Sequence, residues 1–193
     1  VLFEEVRNVY FSQARKFVVD ATLGLGGHAK MLIEWMDTWG TFIGFERDEE
    51  NLILAQKNLL EVSKWKDIQL VRESFAEIES VCNDQIIKGV DFILYDLGVS
   101  SAHYDDGERG FSIRHDAPLD MRFDRNELWT AADLVHKLDL RELSKIFTVY
   151  GEEKKAWFIA QAIVKAREKK KIETTFELID IIEKSSFDKK SSL

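Results

Sequence analysis

An α/β fold built on a parallel sheet is what this 193-residue sequence predicts. Three observations predict it. Short apolar runs alternate with stretches of helical periodicity through the first half of the chain, the pattern of βαβ units. The first run passes into Gly24-Leu-Gly-Gly-His-Ala29, a turn that satisfies G-x-G-x-x-A and opens a helix. After Asp96 no strand pattern recurs, and the chain passes through a long irregular stretch into helices.

Taken in order, Phe3 to Val9 predicts a short lead-in helix. Lys16-Phe-Val-Val-Asp20 predicts a buried strand ending in an acid. His28 to Asp37 reads as a helix, with Met31, Leu32 and Trp35 at helical spacing. Thr41 to Glu46 is the second strand, again ending in an acid. Asp48-Glu-Glu50 supplies a cap and a negative first turn to a helix whose Leu52, Ala55, Leu59 and Val62 share a face. Asp67 to Val71 is the third strand, Ser74 to Val81 a short helix, and Val90 to Asp96 the fourth strand. Right-handed crossovers bring the strand ends, and any ligand, to one edge.

Leu97 to Asn126 lacks a period and is dense in Arg, Asp and His. Interleaved Tyr104, Phe111, Ile113, Met121 and Phe123 predict that it is ordered, and a loop of this length in a compact domain is commonly functional. Cap-like starts at Thr130, Asp139 and Thr174, each followed by an acid three residues on, open helices. Tyr150-Gly151 stops one of them. Trp157 to Lys171 and Phe176 to Lys184 are the last two.

The totals exclude some classes. With 45% hydrophobic and 32% charged residues the chain supports a sizeable core. A single cysteine, Cys82, provides neither a disulfide framework nor a thiolate cluster, so no metal is expected and a reducing compartment suits it. No apolar run is long enough to span a membrane, and the first residues lack a basic signal-peptide start. The net charge of −8 counts mildly against nucleic acid but leaves room for a local basic face.

The glycine turn narrows the ligand. Glycine allows a tight bend and close approach to the backbone, and the helix beyond offers free N–H groups. Glu46, about twenty residues later, ends the next strand, where a carboxylate accepts hydrogen bonds from ribose hydroxyls. A dinucleotide needs a second mononucleotide-binding half, and this chain turns helical instead. S-adenosylmethionine sites use the same first half. Asp20 suits the methionine amino group, Glu46 the ribose, and Phe75, just past the third strand, either stacks on adenine or belongs to the core. Asp96 ends the fourth strand opposite the turn, where the transferable group points.

Five blocks carry more than spacing: Asp20-Ala-Thr-Leu-Gly-Leu-Gly-Gly-His28, Asp96-Leu-Gly-Val-Ser-Ser101, Asp106-Gly-Glu-Arg-Gly-Phe-Ser112, Ala117-Pro-Leu-Asp-Met-Arg122 and Tyr150-Gly-Glu-Glu153. With them the chain resembles the MraW/RsmH family, S-adenosylmethionine-dependent enzymes that methylate the exocyclic N4 of a cytidine in small-subunit ribosomal RNA. The resemblance runs from Val1 to about Ile182. It implies a Rossmann-like class I S-adenosylmethionine methyltransferase sheet over residues 1–112, incomplete in this chain, and an all-helical substrate-recognition subdomain over 113–193. It implies cofactor contacts at Gly26, Gly27, His28, Glu46, Phe75, Asp96 and His103. The family has Asp where Glu46 stands and Gln where His103 stands. It also continues past Leu193 with the last sheet strands, so an open edge on the fourth strand is expected.

Transfer of a methyl group from a sulfonium is an in-line displacement, and the enzyme chiefly aligns donor and acceptor. The cytosine amino group is a poor nucleophile, and a carboxylate accepting its N–H favours the developing charge. Asp96 is the catalytic candidate. Arg109, Arg114, Arg122 and Arg125 either hold phosphates and stack on splayed bases or pair with the acids beside them. Tyr104 and Phe111 are stacking partners or core. The implied partner is small-subunit ribosomal RNA, free or in a particle, and the implied compartment is the cytoplasm or an organellar matrix of bacterial descent. Two rivals stand beside this reading: a non-catalytic RNA- or ribosome-binding protein that keeps the fold, and a short dehydrogenase.

Overall fold

The computed structural model of the chain describes residues 2–12, 15–62, 66–84, 87 and 89–187. The chain end at Ser191–Leu193 lies outside them. The chain divides into two compact units, Val1–Ala102 and His103–Leu193.

The first unit is built on four parallel strands: β1 (Phe17–Asp20), β2 (Thr41–Phe45), β3 (Asp67–Val71) and β4 (Phe92–Leu94), in the order β3-β2-β1-β4. Helix α1 (Phe3–Phe11) precedes β1, and α2 (Gly27–Trp35), α3 (Glu49–Leu59) and α4 (Ile78–Asp84) lie between successive strands in sequence. Because successive side chains of a strand face opposite sides, neighbours in sequence enter different cores. Val18 and Phe42 pack with Tyr10, Leu32, Ile33, Ala55 and Leu59 of α1, α2 and α3. Val19, Ile43 and Phe45 pack with Cys82 of α4 and with partly buried Ile78 and Val81. Burial on both faces explains why these strands read as continuous apolar runs. Gly44 falls on the same face as Phe42, where a Cβ would meet Leu23 Cδ1 at 2.9 Å, so the position suits glycine.

The strand ends are pinned locally. Asp91 Oδ2 accepts from the N–H groups of Lys16 and Phe17, fixing where β1 begins. Past β1, Ala21 N–H donates to Leu94 O and Leu23 N–H to Phe45 O, so the chain entering the glycine turn is tied to both neighbouring strands. Asp48 caps α3, its carboxylate accepting from Glu50 and Asn51. A 3₁₀ turn over Phe75–Glu77, capped by Ser74, precedes α4. Among the described residues β4 has a strand on one side only, and Ile93 is 40% exposed.

The second unit contains α5 (Ser101–Asp105, which begins just inside the first unit), α6 (Ala131–Lys137), α7 (Leu140–Val149), α8 (Ala156–Arg167) and α9 (Thr175–Phe187). Thr130 and Asp139 each form a reciprocal capping box. The core of this unit joins Leu119, Val135, Leu143, Ile159, Ala160, Ile163 and Ile172. The only strand-like pairing among its described residues is an isolated bridge between Pro118 and Thr174. The family resemblance implies a functional division at 112/113, and the contacts divide the chain into compact units at 102/103. The second unit begins at His103, whose ring packs on Phe111 and Phe123 at 4.9 and 5.2 Å.

Candidate functional site

The strand order reverses around β1, which lies between β2 and β4. In open parallel sheets the crevice for a ligand lies at the carboxyl ends of the strands at such a switch point. The register sets Asp20 opposite both Gly44 and Leu94. Glu46 and Asp96 follow the ends of β2 and β4, on the same edge.

Asp20 is the most unusual group of this edge. It is 1% exposed. Its Oδ1 accepts the Thr22 N–H at 3.1 Å, while its buried Oδ2 has no hydrogen-bond partner among the described residues. Burial pushes its pKa up to about 7, the Thr22 N–H opposes the rise, and the charges of Asp96 and Glu46 add to it. A carboxyl group with an idle buried oxygen is costly in isolation. A cationic ligand would satisfy it.

The turn follows. Gly24 and Gly26 have φ of 52° and 83°, left-handed values that favour glycine. Gly26 N–H closes the bend onto Leu23 O at 2.9 Å, and Asn58 Nδ2 steadies it from α3 by donating to Leu25 O. At Gly27 a Cβ would meet nothing within 4 Å, so the first turn of α2 is open to an incoming group. His28 stacks on Phe3, with ring centroids 5.7 Å apart, and its Nε2 lies 3.5 Å from Asp96 Oδ2. The Asp96 backbone N–H donates to Thr22 Oγ1 at 2.8 Å. The Glu46 carboxylate accepts the Asp48 N–H at 2.8 Å. Phe75 is 42% exposed and meets Tyr95 edge-on at 5.7 Å. It is therefore not a core residue of the short helix.

Gly26, Gly27, His28, Glu46, Phe75 and Asp96 thus all belong to the first unit, and the structure brings His28 and Asp96 together directly. His103 belongs to the second unit. It is 3% exposed and enclosed by Phe111 and Phe123, a buried aromatic-stacked ring rather than a surface loop histidine. A cleft of about 390 Å³ between α2 and α3 is lined by Gly26, Gly27, Lys30, Lys57, Asn58 and Glu61. It shares the glycines with the turn but none of the carboxylates. No group of His, Cys, Asp and Glu among the described residues could hold a metal. No helix among them is long and apolar enough to cross a membrane.

Sequence reasoning missed Thr22, which ties the end of β4 to the exit of β1, and Asp48, which both caps α3 and orients Glu46. It also missed Asn51, buried in α3, whose Nδ2 reaches Ser100 Oγ at 3.2 Å. The signal available for Thr22 was a hydroxyl two residues past a strand-ending acid. Two arginines of the irregular stretch are occupied at home. Arg109 donates to Arg122 O and Phe123 O, and Arg122 grips Asp120 through both carboxylate oxygens.

Fold and edge together define a Rossmann-like α/β protein of the class I methyltransferase kind, with a glycine turn after the first strand. Within that class the chain belongs to the MraW methylase family, whose model matches residues 1–192. It is 42% identical to a Geobacter sp. (strain M21) protein named ribosomal RNA small subunit methyltransferase H, over 94% of this chain and 58% of the relative. A protein of the same name from Caldicellulosiruptor saccharolyticus gives the same identity and coverage. One from Lactobacillus acidophilus is 45% identical over 85% of this chain and 53% of its own length. The chain therefore spans somewhat more than half the length of these curated relatives.

Proposed function

We propose that this chain carries the cofactor-binding part of an S-adenosylmethionine-dependent methyltransferase acting on the exocyclic N4 of a cytidine in small-subunit ribosomal RNA. One observation supports the cofactor most strongly: the buried, half-partnered carboxylate of Asp20 beside the glycine turn, with Asp96 and Glu46 close enough to raise its pKa. Three converging carboxylates oppose the pyrophosphate of a dinucleotide and favour a ligand that bears cations, a sulfonium and an ammonium. The family membership supports the acceptor.

S-adenosylmethionine supplies an electrophilic methyl group on a positively charged sulfur. Asp20 takes the ammonium of the methionine end. Gly26, Gly27 and His28 line the close approach of the ligand to the backbone. Glu46, held by the Asp48 N–H, accepts from the ribose hydroxyls, and Phe75 offers its exposed ring to the adenine. Asp96 accepts an N–H of the cytosine amino group and so favours the developing positive charge there. His28 Nε2 orients that carboxylate. His103 stands in the proposal as the remaining cofactor contact. Residues 1–112 serve the cofactor and 113–193 the RNA. The compartment is the cytoplasm or an organellar matrix of bacterial descent.

Calorimetry tests the first half of this reading. S-adenosylmethionine is expected to bind and NAD not to, and the opposite result sinks it. Radiolabelled methyl transfer to small-subunit RNA or to assembled small subunits tests the second half, with Asp96→Ala expected to abolish transfer. An inert protein that still binds RNA would establish the non-catalytic alternative instead.

A further inference from the structure

The Tyr150-Gly-Glu-Glu153 block is not among the residues assigned to the cofactor above. It ends α7 and turns the chain into α8. The turn is tightly determined. A Cβ on Gly151 would meet Phe147 O at 2.9 Å, and Glu152 holds φ of 50°, a left-handed value that strains a non-glycine residue. Glu153 N–H donates to Phe147 O at 3.0 Å, and its Oε1 accepts the Lys155 N–H at 2.7 Å. A strained backbone persists only where its surroundings over-determine it. What this turn presents is Tyr150, a ring 83% exposed. Lys154 and Lys155 follow, both exposed, and Trp157 and Phe158 in the first turn of α8 are nearly half exposed.

Large aromatic side chains normally bury most of their area. Here three of them lie outward within nine residues, with two lysines between. The longest basic run of the chain, Lys165–Lys171, is partly committed elsewhere. Arg167 donates to Val135 O and Leu138 O at the end of α6, and Lys170 pairs with Glu177. Exposed rings with lysines between them, even beside the exposed Glu152 and Glu153, match unpaired nucleic acid, whose bases stack on aromatics while its phosphates meet cations. Lysine is depleted from the cores of protein–protein interfaces, which places a protein partner second.

We infer that the α7–α8 turn is a single-stranded RNA contact, in which Tyr150 stacks on an unpaired base and Lys154 and Lys155 hold flanking phosphates. This rests on the ribosomal RNA reading above and adds the contacting residues to it. The test titrates the intact protein into a fluorescein-labelled single-stranded RNA of about 12 nucleotides, within the span of known single-strand sites, and into its duplex, across a salt series. Tyr150→Ala is expected to weaken single-strand binding by about 5- to 150-fold, the range for loss of one base–aromatic stack. Tyr150→Phe and Tyr150→Trp keep the affinity. The Lys154→Gln, Lys155→Gln double variant lowers the salt slope by about 1.4. Single-strand affinity unchanged in Tyr150→Ala overturns the inference, as does a preference for the duplex. The two readings fail separately. Absent S-adenosylmethionine binding in the unaltered protein removes the methyltransferase proposal, whereas intact cofactor binding with Tyr150-independent RNA affinity removes only this contact.

Discussion

Asp20 shows how far one residue departs from its ordinary chemistry when a fold encloses it. Its pKa, raised to about 7 by burial, lies above that of an aspartate in the unfolded chain. The folded state therefore keeps its proton over a window in which the unfolded chain has lost it. The associated stability is full below about pH 4 and declines as pH rises to about 7. Thermal melts of Asp20→Asn are expected to lose that decline, and an unchanged pH profile would show that Asp20 does not carry it. On the proposed reading, affinity for a cationic ligand is expected to run the other way, rising through the same window because ionised Asp20 would be the form that binds. Phe75 gives a second prediction at this scale. With its ring substantially exposed, Phe75→Ala should leave the melting temperature nearly unchanged. It should weaken S-adenosylmethionine binding about 2- to 10-fold in calorimetry, the worth of one aromatic contact. A large stability loss with unaltered affinity would return Phe75 to the core.

The irregular stretch after β4 is ordered by elements that are themselves loops. Gly110, at φ of 72°, leaves no room for a side chain, since a Cβ there would lie 2.4 Å from Pro118 O. Gly110→Ala is expected to destabilise the second unit by about 3 kcal/mol in denaturant unfolding, from left-handed strain and overpacking together. Arg122 knits the same region. Its guanidinium meets both Asp120 oxygens and the carbonyls of Arg125 and Glu127. The Asp120 carboxyl is held below the usual range chiefly by the Arg122 hydrogen bond, so this contribution is present at neutral pH and is lost as pH falls. Lysine presents a point charge where arginine presents a planar fork. Arg122→Lys is accordingly expected to cost about 2 kcal/mol, and acid denaturation compared with the native protein measures it. The Ala117–Arg122 block thus holds the second unit together, because Leu119, Asp120 and Ala117 also bond the starts of α6 and α9 through their backbones.

At the scale of the molecule, the apolar clusters respect the two units. The clusters on either face of the sheet draw only on residues before Ala102, and the helical cluster only on residues after His103. Ile163, fully buried at the centre of the helical cluster, provides the test. Ile163→Ala is expected to cost about 2–5 kcal/mol locally. Hydrogen exchange should show amides of α6–α9 losing protection while those of β1, β2 and α3 keep theirs. Equal loss in both units would mean that the chain unfolds as one. The net charge of −8 sets a second property of the whole. Any RNA affinity must come from local cations and stacking rather than from a general positive field.

Local chemistry was legible without a structure. Alternating apolar runs specify four strands because a strand buried on both faces has no polar side to show. The caps at Asp48, Thr130 and Asp139 are readable because helix ends need acceptors for orphan N–H groups. The glycine turn is readable because only glycine takes its left-handed bends freely. The candidate site was legible as a set of strand-end acids. Their relations were not, because contacts between strands far apart in sequence leave no spacing to read. Only the tertiary structure paired Asp96 with His28 and Thr22, left one oxygen of Asp20 idle, turned Arg109 and Arg122 inward and enclosed His103 between phenylalanines. The sequence by itself determined which residues are strands, turns and caps, since those follow from neighbours along the chain. Which carboxylate is buried and which aromatic is offered to solvent was decided by packing, since burial depends on what the rest of the chain brings alongside.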